Sequence, residues 1–164
     1  MEYRPLPAGS AEARGLFAYA GAWVPPESPG ELGCGAWVTG PGGATGSDGS
    51  ATERMVGALL VERSGTSGLI HGPVVVATEE ALEVAAQLMT SALSASAAAG
   101  VETLFARPQG LDRVWVRFGF IPVPEADLPA AFRGRPGTGL FAWRGGSALW
   151  SSRRTDTLER DDLR

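Results

Sequence analysis

The spacing of apolar and polar positions changes several times along the chain, and each change marks an element. Residues 34–39 (CGAWVT) and 54–62 (RMVGALLVE) read as neighbouring strands of a hairpin. The second is apolar almost throughout, as a central strand covered on both faces is. Residues 67–76 (SGLIHGPVVV) are a further strand interrupted by Gly72-Pro73. Proline cannot donate to a ladder, so this dipeptide marks a bulge or a splay. At 78–99 the period becomes helical. Thr78 is the expected cap, Glu79 and Glu80 suit the positive helix start, and Leu82, Ala85, Ala86, Met89 and Leu93 form the expected buried stripe. Gly100 ends that helix.

Shorter signals fill the rest. Residues 2–6 are a candidate first strand, and Ser10 can cap a short helix whose apolar side is Leu16, Phe17 and Ala20. Three prolines in 24–30 (VPPESPG) forbid a helix there. Residues 101–107 (VETLFAR) read as a strand, 109–118 as a short helix, 120–123 as the start of a strand and 139–144 (GLFAWR) as the last strand. One more helical turn or loop is expected within 124–135. The segment 40–52 (GPGGATGSDGSAT) has the composition of a flexible connection; its glycines lack the Lys and the following helix of a phosphate loop. Residues 146–164 end in a charged tail. The predicted fold class is mixed α/β (α+β): one domain over 1–145, a central mostly antiparallel sheet, and one parallel crossover through helix 78–99.

Composition narrows the function classes. The chain has 164 residues and a net charge of −4, which disfavours nucleic-acid binding by phosphate neutralisation. No apolar run reaches the roughly 20 residues of a membrane span, and the N-terminus lacks a signal-peptide pattern, so a cytoplasmic location is expected. All 14 basic residues are arginine, a coding bias rather than recognition chemistry. Cys34 is the single cysteine and His71 the single histidine, so no site built from several such ligands is expected and no metal is assigned.

The order strand, long helix, strand, short helix closing on Phe-Gly-Phe (111–120, LDRVWVRFGF), strand resembles the C-terminal half of the GCN5-related N-acetyltransferases over about residues 34–144. The resemblance implies a sheet splayed at one strand pair, helices on both faces, and acetyl-CoA as co-substrate. Val74, Val75 and Val76 would then meet the pantetheine arm. Thr78, Glu80, Ala81 and Ala85 would lie at the pyrophosphate, where a helix start offers free amides. The family's Arg/Gln-x-x-Gly-x-Gly/Ala pattern falls on Glu80, Glu83 and Ala85, of which only Ala85 conforms. The two glutamates predict weak acetyl-CoA binding. Trp115 stands where the family often has a catalytic tyrosine, and indole cannot deliver a proton as phenol can.

His71 is the candidate general base toward an amine, or an ordinary strand histidine. Glu62 is a second candidate base, acting through water, or a solvated carboxylate at a strand end. Cys34 reads as a small core residue. Trp23, Trp37, Trp115 and Trp143 could frame an apolar acceptor pocket or belong to the core. Arg107, Arg113 and Arg117 could pair with phosphates or be solvated. The expected activity is acyl transfer from acetyl-CoA to a primary amine of a small molecule or peptide. The alternative is a non-catalytic module of the same fold that binds a ligand or a protein, with sheet edges suited to a homodimer; a fragment of a larger protein is a third class.

Overall fold

The computed structural model describes residues 1–39, 52–108 and 112–144. The glycine-rich connection, the tail from 145 and the predicted helix start at 109–111 lie outside the described residues. Seven strands form one sheet: β1 (Glu2–Pro5), β2 (Leu32–Thr39), β3 (Glu53–Ser64), β4 (Ser67–Val75), β5 (Thr103–Ala106), β6 (Ile121–Pro122) and β7 (Phe141–Trp143). Their spatial order is β1-β2-β3-β4-β5-β7-β6. Every pairing is antiparallel except β4 with β5. That parallel pair is joined by α2 (Ala81–Ala98), as a crossover requires.

The reading of β3 as a strand covered on both faces holds in detail. Val56, Leu59 and Val61 pack in one cluster with Val84, Leu88 and Met89 of α2. Ala58 and Leu60 pack on the other face with Ala13, Leu16 and Phe17 of α1 (Ala11–Tyr19). Ser10 caps α1, its hydroxyl accepting from the Ala13 amide at 3.1 Å. A third cluster, with Phe105, Leu128, Phe132 and Leu140, fills the end under two short 3-10 turns at Glu125–Asp127 and Ala130–Phe132.

The long helix departs from its predicted phase. It starts at Ala81, not at 78: Thr78 Oγ1 accepts from the Glu80 amide at 3.1 Å in a turn that precedes the helix, and Glu80 is the N-cap. The buried stripe is accordingly Val84, Ala85, Leu88, Met89, Ala92 and Ser96, while Leu82 is exposed. Burying each of Val84, Leu88 and Met89 stabilises by roughly 1.5–3 kcal/mol, which is enough to set the phase against Leu82. The C-terminus agrees with expectation: the Val101 amide reaches Ser96 O and the Gly100 amide Ala97 O. α3 (Asp112–Arg117) ends the same way, Phe120 N to Trp115 O, with Gly119 at φ 89° where a Cβ would be strained.

A buried ion pair fastens the proline-rich segment to α1. Arg14 donates to both Glu31 carboxylate oxygens (3.0 and 2.7 Å) and to the carbonyls of Pro25 and Pro26. Glu31 also accepts from the amides of Gly9 and Ser28. The segment held in this way carries Trp23. Replacing one partner leaves an unpaired buried charge, so Arg14→Met is expected to destabilise by about 3 kcal/mol and to lower Tm by roughly 8 °C in a thermal melt.

Candidate active site

The site begins where β4 and β5 part. Their pairing runs from Ser67 with Thr103 to Ile70 with Ala106 and then stops. β4 continues to Val75, still paired with β3. The register against β3 shifts between Ala58 and Leu60, where Gly72 and Pro73 (joined by a cis bond) oppose a single residue. The predicted interruption is therefore both a bulge and a splay. Gly72 sits at φ 93°, and a Cβ there would stand 3.0–3.2 Å from Val74 N, Ala58 O and Phe17 Cζ. Only glycine fits the bend without displacing backbone.

Beyond Ile70, no described strand pairs with the side of β4 that β5 leaves. The Val76 amide bonds to Val56 O across β3 at 2.8 Å, so the alternation of a strand turns the Val75 backbone groups toward the vacated side. After Val76 the chain turns sharply at Ala77, held in the left-handed region at φ 55°, and enters α2 within a few residues. Splayed strand and helix start are thus adjacent.

A cleft of about 180 Å³ opens at this divergence. It is lined from one face by Phe17, Trp23, His71 and Arg135, and from the other by Ile70 and Trp115, with Gly72, Pro73 and Val74 along its floor.

The predicted pair of His71 and Glu62 is brought together. They lie on one face of the β3–β4 hairpin, diagonal to each other, with His71 Nε2 3.0 Å from Glu62 Oε1. The solvated-carboxylate reading of Glu62 is overturned: the residue is 7% exposed. Its partner, unseen in the sequence, is Arg135, which donates from Nε to Oε1 at 3.0 Å and from Nη2 to Oε2 at 2.6 Å. Burial pushes the Glu62 carboxyl up, but the hydrogen bonds from Arg135 and His71 outweigh it, and the net shift is down. Burial pushes His71 down, only partly offset by Glu62. The imidazole is therefore neutral at pH 7 and meets the carboxylate by donating Nε2–H, which leaves Nδ1 as an acceptor. Trp23 packs on this imidazole (centroids 5.4 Å apart), and the Arg135 guanidinium lies 5.6 Å from the Trp23 ring centre.

The other named residues divide. Trp115 is buried, packs edge-on against Phe120 at 5.1 Å and lines the cleft. Arg107 lines it too, with its guanidinium held by Glu125 and Gly139 O. Trp37 and Trp143 belong to the core clusters. Arg117 is exposed on α3, and the side chain of Arg113 lies outside the described residues. Val74 lines the cleft, Val75 and Val76 follow it, and Ala81 opens α2. Ala85 is fully buried beneath the helix. Cys34 donates to Leu88 O at 3.3 Å and burial pushes its thiol up to about 12, which suits an inert core residue.

The residues fit an acyl-pantetheine arm better than they fit its nucleotide. An extended chain could lie along residues 71–75 of β4, where backbone groups face no strand. At the helix start, by contrast, Glu79, Glu80 and Glu83 are exposed. Glu80 and Glu83 are close enough to raise the Tyr3 hydroxyl, although burial raises it more. A diphosphate there would meet like charge.

With the geometry in hand, comparison with known proteins places the fold. No family model and no curated protein sequence matches the chain. Solved structures do. Tetrahymena GCN5 is similar at 11% identity, 88% of this chain and 96% of that one, with a TM-score of 0.57. N-acetylglutamate synthase from Neisseria gonorrhoeae, solved with coenzyme A and N-acetyl-glutamate, is similar at 14% identity over 88% of this chain and 35% of that one, with a TM-score of 0.59. An acetyltransferase of the GNAT family from Staphylococcus aureus Mu50 is similar at 12% identity over 70% and 68%, with a TM-score of 0.53. The chain has the fold of the GCN5-related N-acetyltransferases. No helix among the described residues is long and apolar enough to cross a membrane.

Acid should destabilise the protein in two stages. His71, depressed in the folded state, costs stability as pH falls below about 6.5, its ordinary value, toward its folded pKa. Glu62, also depressed, contributes stability that is complete above about 4.5 and lost as pH falls further. Urea melts of His71→Gln against wild type at pH 7.5, 6.0 and 5.0 are expected to show the upper stage only in wild type.

Proposed function

We propose that the chain transfers an acyl group from an acyl-pantetheine thioester, acetyl-CoA in the simplest case, to a primary amine. The observation that carries this reading is the parting of β4 from β5 after Ile70, with His71 and Trp115 on opposite walls of the resulting cleft. The arm of a thioester would be held along β4, and an amine would approach from the Trp23 side, where the tryptophan is partly exposed.

The division of labour follows from each group's chemistry. His71, neutral and fixed by Glu62, takes the proton from the attacking amine at Nδ1; Arg135 holds Glu62 ionised and in place. The amine nitrogen bonds to the thioester carbonyl carbon, the carbon–sulfur bond breaks, and the thiolate leaves with the electron pair. The Val75 amide, turned to the vacated side, is a hydrogen-bond donor for the thioester arm. Trp115 has one N–H and no exchangeable phenol, so it shapes the wall and can donate a hydrogen bond, while solvent reprotonates the thiolate. Homodimerisation through a sheet edge is no part of this reading, because β1 and β6 are short and each contains a proline.

Glu79, Glu80 and Glu83 favour a second reading, a ligand-binding module without turnover. Two measurements separate them. Calorimetry with acetyl-CoA should give heat at millimolar ligand, and the affinity should rise with added salt as the repulsion is screened. Glu80→Gln/Glu83→Gly should tighten it by roughly three- to tenfold. His71→Ala should lower kcat for thiol release by about 10²-fold or more with acetyl-CoA affinity unchanged. No heat at millimolar acetyl-CoA would rule out the transferase; binding without turnover in wild type would leave the binding module.

A further inference from the structure

Among the described residues, no carboxylate lines the amine-facing half of the cleft. Among the described residues that line it, the ionisable ones are His71, Arg107 and Arg135. The nearest carboxylate, Glu62, is buried, and both oxygens are taken, Oε1 by His71 and Arg135 Nε, Oε2 by Arg135 Nη2. Arg107 is matched by Glu125, an exposed carboxylate that does not line the cleft. Each of the two arginines therefore faces a carboxylate, and the described lining residues add no further negative charge.

Each positive charge beyond the one lost when the attacking amine is deprotonated would lose water, find no carboxylate among the described lining residues and meet Arg107 and Arg135, a cost that grows with every such charge. The remaining walls are aromatic. Phe17 is buried at the base, and the Trp23 indole is 40% exposed with the imidazole against it. An exposed tryptophan at the mouth of a cleft offers a face for stacking and little else. The volume of about 180 Å³ is below the range usual for drug-sized ligands, so the inserted group is small.

We infer that the acceptor is a small primary amine on an aromatic or aliphatic body with no second positive charge, and that Trp23 selects it. Polyamines, aminosugars with several amines and lysine-rich peptides are disfavoured, because the described lining residues offer their further charges two arginines and no carboxylate. This rests on the acyl-transfer reading for its chemistry, while the recognition itself is a binding property that needs no donor.

The test compares 2-phenylethylamine with spermidine on the full chain. With saturating acetyl-CoA, kcat/KM should favour phenylethylamine by about tenfold or more, and Trp23→Ala should raise its KM by about tenfold with kcat nearly unchanged. Ala22→Asp, which adds a carboxylate to the cleft wall, should narrow the preference at least threefold. Without donor, phenylethylamine and not spermidine should shift the tryptophan emission, and Trp23→Ala should lose the shift. A selective shift with no acetyl transfer would uphold this inference and count against acyl transfer alone. Spermidine used as well as or better than phenylethylamine, or no response to phenylethylamine in either assay, would overturn the inference, the first of these with acyl transfer intact.

Discussion

The gap between β4 and β5 is the constraint on which the rest of the molecule turns. A parallel pair of strands normally stays zipped because each backbone group gains a partner. Here β5 ends at Ala106, ahead of Arg107 and Pro108, while β4 runs on through a bulge at Gly72 and Pro73. Proline supplies no donor, and Gly72 takes a bend no other residue could share. Unpaired backbone in a protein interior is costly, so a splay of this kind persists only if water or a ligand satisfies it. The cleft is the consequence, and His71 is placed on its wall by register alone.

Around the gap, one hairpin and a loop distant from it in sequence converge on one carboxylate. Glu62 on β3 holds His71 on β4, and Arg135, from the loop before β7, holds Glu62. Trp23 arrives on the segment that Arg14 and Glu31 fasten to α1. Two buried ion networks therefore support the site, one within it and one behind it. Such pairs add little net stability compared with apolar packing, but breaking one is expensive. They fix geometry rather than hold the fold together; the three apolar clusters do that.

Much of this was legible in the residues. The Gly72-Pro73 interruption announced the bulge, Ser10 the cap of α1, and Gly100 and Gly119 the helix ends. The nearly unbroken apolar run of β3 announced a strand buried on both faces. What escaped reading was set by tertiary contact. Leu82 looks like a core residue, yet the helix is capped at Glu80, two residues later than Thr78 suggests, and Val84, Leu88 and Met89 bury better. Glu62 looks like the solvated end of a strand; β3 continues to Ser64, and a partner 73 residues away in Arg135 covers the carboxylate. No periodicity links positions so far apart. Arg135 sits in a glycine- and proline-rich stretch (GRPG) that reads as loop and gives no hint of its role.

Hydrogen exchange with and without coenzyme A tests the gap most directly. The account requires protection to appear at the amides of Gly72, Val75 and Arg107, which border the opening, with little change in β1 and β2. Protection confined to other surfaces, or none at saturating ligand, would contradict it.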